Sequence, residues 1–369
     1  MRKLLQALER SRREAPQTLG PGPVLIYGAG NRGRQVATFL RDCGHNVIGL
    51  ADAAASGAES WQSLPIRSLA AWQAQGATAD WTLVVAIHNH RVDLAQLLDH
   101  LAQIGFGRIV NPVEFQAIFQ GQFADSYWLA GPRAYAGHDG ELAALAPLFA
   151  GNSSRDLLQR IVEFRLTGNY AVLPAPTPEE QYCPADLPRW TEPLRFVDAG
   201  AFDGDTLRQL RRCGYGFEQI AAFEPDPENF ARLSQCVADL GGGICIPCGL
   251  AQTCRQARFS QDGTGSSRIS ADGGQVIQCV SLDEALPGFH PTLIKMDIEG
   301  AEPEALQGAV RTISACRPAL AISVYHHPAH LWQIPLLIDS WQLDYRFHLR
   351  MHGHSSFDLV LYALPQTRD

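Results

Sequence analysis

Residues 196–204 read FVDAGAFDG: an apolar run of strand length ending in Asp198, a glycine turn, and a second carboxylate, Asp203, just before a helical run begins. In a doubly wound sheet the ligand lies off the carboxyl end of the first strand, where glycine lets the backbone approach it closely. Gly200 and Gly204 suit that turn. A pyrophosphate docked on the next helix N-terminus would be repelled by carboxylates in the same loop. The stretch therefore predicts an α/β fold with a nucleotide-type pocket for a cofactor that carries positive charge.

S-adenosylmethionine (SAM) has that character, with a sulfonium, an ammonium and no phosphate. The next strand, IAAFEP at residues 220–225, ends in Glu224, where an acidic side chain accepts hydrogen bonds from ribose hydroxyls. Gly249 and Leu250, closing the apolar run ICIPCGL read as a third strand, are assigned to the same pocket. The plainer alternative makes Asp198 and Asp203 helix caps and Glu224 a solvated strand end.

A chain of 369 residues is long enough for about two domains. Its net charge of −8 argues against nucleic acid and against an anionic membrane surface. No apolar stretch is long enough to span a bilayer, and the charged N-terminus, read as a short surface helix, lacks an export-type apolar core. Nine scattered cysteines suit thiols in a reducing compartment, so the protein reads as cytoplasmic.

Outward from the cofactor strand, residues 116–193 form a helical and Pro-rich connector between a domain at 1–115 and another at 194–369. The first domain opens with PVLIYGAGNRGRQVATFL, placing Gly28, Gly30 and Gly33 after a strand, with Asp52 ending the next one. This segment looks like the nucleotide-binding domain of sugar O-acyltransferases. It is compatible with a vestigial platform, a nucleotide-sugar site or a NAD site, the last giving an oxidoreductase as the alternative function. In the connector, Gln181 and Tyr182 either fold over the cofactor pocket or pack as ordinary loop.

From residue 194 strands and helices alternate, predicting a mostly parallel sheet. DYRFHLRMH and FDLVLYAL near the end predict a hairpin, so one final strand runs antiparallel to its neighbours. FVDAGAFDGDT, AFEP, GTGSS, VSLDEAL, IKMDIEGAE and SVYHHP occur in that order, and with them the chain resembles the FkbM methyltransferases in their long form. The resemblance implies a class I methyltransferase sheet behind a smaller N-terminal Rossmann-like domain. It also implies O-methylation of a hydroxyl on a sugar, polysaccharide precursor or related metabolite.

An attacking alcohol loses a proton, so a base must reach it. Asp297 closes the strand TLIKM, and Glu299 follows in the same turn. His326 and His327 close LAISVY, His326 as a second base candidate and His327 as a substrate contact. Ser267, Arg268 and Tyr182 are the other expected acceptor contacts. Asp297 and Glu299 with a third oxygen or His326 could instead hold Mg²⁺, although two carboxylates so spaced also suit a helix cap, and no metal is assigned. The acceptor's identity and the oligomeric state are not written in these motifs.

Overall fold

The computed structural model describes residues 18–366, apart from 57–58, 77, 262–266 and 270–273. The expected N-terminal surface helix and most of the GTGSS loop lie outside the described residues. The chain divides into two compact units, one of residues 1–139, 157–176 and 353–357, the other of residues 140–156, 177–352 and 358–369.

In the first unit, β1 (Val24–Tyr27), β2 (Val47–Ala51), β3 (Glu59–Trp61), β4 (Leu64–Arg67), β5 (Thr82–Val85) and β6 (Arg108–Val110) form one sheet in the order β3-β4-β2-β1-β5-β6. Only the β3–β4 pair is antiparallel. The helix Asn31–Asp42 buries Gly33, Val36, Ala37 and Leu40, the spacing of one helical face. Gly33 is required there, because a Cβ would lie 1.8 Å from the Gly28 carbonyl oxygen.

The second unit contains β7 (Leu194–Ala199), β8 (Phe217–Phe223), β9 (Ile244–Ile246), β10 (Gly249–Leu250), β11 (Arg255–Gln261), β12 (Ser267–Ile269), β13 (Gln275–Val280), β14 (Leu293–Met296), β15 (Ala319–Ser323), β16 (Tyr345–Met351) and β17 (Leu359–Pro365). Its main sheet runs β16-β17-β15-β14-β7-β8-β9. The strands from β9 to β15 are parallel, and β17 is antiparallel to both β15 and β16, as the hairpin pattern predicts. Every residue of β14 and β15 is buried, consistent with central parallel strands covered on both faces. Strand order reverses between β7 and β14, and the crevice at their carboxyl ends is where such a sheet binds its ligand.

ICIPCGL is not one strand. β9 ends before Pro247, which has no N–H to continue the ladder, and Gly249–Leu250 joins a separate sheet of order β10-β13-β11-β12. The expectation of unpaired thiols also needs correction, since Cys183 and Cys213 are disulfide-bonded. Among the described residues no helix is long and apolar enough to cross a membrane.

Candidate active site

The crevice is built on glycine. Gly200, next after β7, has φ +74°, and a Cβ there would lie 2.0 Å from the Asp297 carbonyl oxygen across the strand-order reversal. Gly204, at φ +87°, would press a Cβ to 2.6 Å from Cys236 Sγ. Both are left-handed positions beside close neighbours, so the loop can take this path only without side chains.

The acids of that loop are matched by cations that the sequence reading passed over. Asp198 is fully buried, with Lys295 Nζ 3.1 Å from its carboxylate. Lys295 also donates to the Gly200 carbonyl at 2.7 Å, tying β14 to the cofactor turn. Burial raises the Asp198 carboxyl to about 6 against the pull of Lys295, leaving an ion pair at neutral pH. Asp203 is paired with Arg208 at 2.5 Å. The crevice is thus less acidic than its carboxylates alone suggest. A lysine inside the apolar run TLIKM was the available signal, because a buried lysine needs a partner.

Glu224 keeps capacity for a ribose. Its two carboxylate oxygens accept the Phe202 and Asp226 N–H groups, each at 2.9 Å, and each oxygen has a further lone pair. Burial pushes its carboxyl up to about 7. Gly249 and Leu250 lie in β10 beside β13, with the Leu250 side chain buried. The glycine turn, which admits close backbone approach, and the spare acceptors of Glu224 fit the nucleoside part of SAM.

Asp297 follows β14 and is the centre of the second cluster. Its Oδ2 accepts the Tyr182 hydroxyl at 2.8 Å, and its Oδ1 lies 3.3 Å from His326 Nε2. Tyr182 is buried and held by its own backbone: its N–H donates to Tyr362 Oη at 2.9 Å and its carbonyl accepts Trp190 Nε1–H at 2.7 Å. Gln209 Nε2 donates to the neighbouring Gln181 carbonyl at 2.7 Å. Burial first, and Asp297 next, raise the Tyr182 phenol well above its ordinary value, so it stays a donor.

His326 is buried between carboxylates. Its Nδ1 lies 2.8 Å from Glu302 Oε1, and its Nε2 is 3.7 Å from Glu299. Burial opposes its charge, but Glu302, Glu299 and Asp297 outweigh that and raise it to about 10. His326 is therefore an imidazolium at neutral pH. Glu302, fully buried, also lies 3.3 Å from His330 Nδ1. The pattern His326-x-x-x-His330 at the start of a helix and a glutamate in the first turn of Glu302–Gln307 were the signals for this pair, and the sequence reading used neither.

Glu299 has φ +56° in the turn between β14 and that helix, an uncommon backbone state for a glutamate. The metal-compatible grouping is Asp297, Glu302 and His326, whose ligand atoms lie within 4.8 Å of one another, rather than the trio with Glu299. His327 is exposed, and its Nδ1 accepts the Ala329 N–H at 3.2 Å. Ser267 and Arg268 lie in β12, paired with Gln261 and Ser260, and their side chains are outside the described set.

In the first unit, the loop at Gly28, Gly30 and Gly33 precedes its helix as expected. The Asp52 carboxylate accepts the Ala29 N–H at 2.8 Å on one oxygen and the Ala54 N–H at 2.9 Å on the other, leaving each oxygen a further lone pair, as in Glu224.

Residues 198–353 match the Methyltransferase FkbM domain. The chain is 30% identical over 104 residues to the hexuronic acid methyltransferase AglP of Haloferax volcanii, an alignment covering 26% of this chain and 43% of that protein. The chain thus spans less than half the length of this curated relative. A crystal structure titled methyltransferase FkbM, from Methylobacillus flagellatus KT, has a TM-score of 0.81 at 23% identity, covering 98% of each chain. That likeness establishes the fold across both units.

Proposed function

We propose that this chain, which belongs to the FkbM family of SAM-dependent methyltransferases, methylates an oxygen of a sugar-type acceptor, with Asp297 taking the acceptor's proton. The observation that carries this reading is the placement of Asp297: at the carboxyl end of β14, beside the cofactor turn, between the Tyr182 hydroxyl and His326.

Bound SAM supplies an electrophilic methyl carbon on a sulfonium. The residues of this chain hold the nucleophile in line with that carbon and manage its proton. Gly200 and Gly204 shape the turn, and Glu224 accepts from the ribose. Lys295 keeps Asp198 paired, so the buried carboxylate fixes the loop. Tyr182 and His326 each aim a donor at a separate oxygen of Asp297, orienting the carboxylate toward the acceptor. An already protonated His326 takes no proton, so the base role falls to Asp297 and His326 becomes its positioning partner.

A sugar acid as acceptor is favoured by the aligned segment of a relative named for hexuronic acid. The test incubates purified protein with methyl-labelled SAM and glucuronate or neutral hexosides. We expect label in an alkali-stable ether, and loss of about 10²-fold in turnover with retained SAM affinity for Asp297→Asn. Label released by mild alkali would mean carboxyl esterification, which needs no base, and would remove Asp297 from that role. Chelation with EDTA should leave the rate unchanged, whereas a loss restored by Mg²⁺ would transfer the cluster to a metal mechanism.

A further inference from the structure

The first unit buries a cation without a counter-charge. Arg165, in the helix Gly151–Thr167, is only 2% exposed, and its Nε donates to Ser356 Oγ at 2.9 Å. Neither Nη1 nor Nη2 makes a close hydrogen bond, the side-chain contact of the guanidinium being with the neutral Tyr135 phenol, and no carboxylate of the described residues pairs with the group. The guanidinium lies over the Trp128 ring, 5.3 Å from its centroid, and the buried Trp128 Nε1 is likewise without a partner. Trp128 packs on Phe164, and Phe164 on Tyr170, whose buried hydroxyl is also unpartnered.

We infer that this buried cluster binds an oxyanion, the carboxylate or phosphate group of a ligand, on Arg165 and Trp128. Arginine and the indole N–H only donate, so their missing partner must be an acceptor. Water could fill that role for hydrogen bonding but would leave the buried charge uncompensated. Among the surrounding groups the Tyr135 phenol stands beside the guanidinium, and burial raises its pKa, so it supplies no anion at neutral pH. A planar guanidinium whose Nη groups face only a neutral phenol is the geometry that takes a carboxylate or phosphate through two parallel bonds. The inference is independent of the methyl-transfer reading, since it rests on residues of the first unit alone.

The experiment titrates the full chain, without SAM, with glucuronate, inorganic phosphate, uridine diphosphate and neutral glucose, reading melting temperature and heat. At least one anion should raise the melting temperature and glucose should not. Response to glucuronate alone assigns the group to a sugar carboxylate, and response to phosphate and the diphosphate assigns it to a phosphate. Arg165→Met should abolish the response and, in anion-free buffer, melt no lower than the unsubstituted protein. Trp128→Phe, which keeps the ring and loses the N–H, should weaken the anion about five-fold with little change in melting. The idea fails if no anion raises the melting temperature, or if Arg165→Met responds as the parent does. Should Arg165→Met not fold, unchanged anion affinity in Trp128→Phe overturns the site.

Discussion

His326 shows how far a single residue's chemistry depends on what the fold packs around it. An isolated histidine is half-protonated near 6.5 and makes a natural base, but here three carboxylates hold it charged up to about 10. Because the folded value exceeds the unfolded one, its stabilisation is complete below about pH 6.5 and is lost as pH rises through 10. Glu302 shifts the opposite way, lowered by His326 and His330 against its own burial, so its share is present above its ordinary value and lost as pH falls toward the folded one. Glu302→Gln breaks both at once. It should cost about 3 kcal/mol in urea unfolding at pH 7 and flatten the decline of stability between pH 7 and 10. A variant that keeps the parent's alkaline decline would remove Glu302 from control of His326.

At the scale of elements, β7 and β14 approach so closely through their following loops that Gly200 has no room for a methyl group. Gly200→Ala would meet both a positive φ and the Asp297 carbonyl. Destabilisation of about 2 kcal/mol or more is expected. SAM affinity should fall at least ten-fold, by isothermal titration, because the turn must open to relieve the contact. The segment carrying Tyr182 is held differently, by backbone bonds to Tyr362, Trp190 and Gln209. Tyr182→Phe removes only the hydroxyl reaching Asp297, and should lower kcat several-fold with little change in SAM affinity or melting. A fall in SAM affinity as large as the fall in kcat would make Tyr182 part of the cofactor wall instead.

For the whole molecule, two units with separate sheets mean that unfolding need not be a single transition. SAM held by β7, β8 and β14 would stabilise the second unit by about 2.7 kcal/mol at a hundred times its Kd. Calorimetry should resolve two transitions, of which SAM raises one and leaves the other in place. A single transition raised as a whole would show that the units unfold together.

Local pattern carried much of the architecture. Glycine and acid spacing marked the cofactor turn at residues 196–204, and alternation marked the final hairpin, because both signals need only neighbours in the chain. The break at Pro247 was legible too, since a missing N–H is a local fact, yet it was passed over. Lys295 beside Asp198, Glu302 beside His326 and Tyr182 over Asp297 are pairs distant in sequence, created when strands and loops meet at one end of the sheet. The sequence alone determined which elements form and which carboxylates stand at the strand ends. Only the tertiary structure decided which of those charges are already paired, because a pKa follows from burial and from partners that folding brings within a few ångströms.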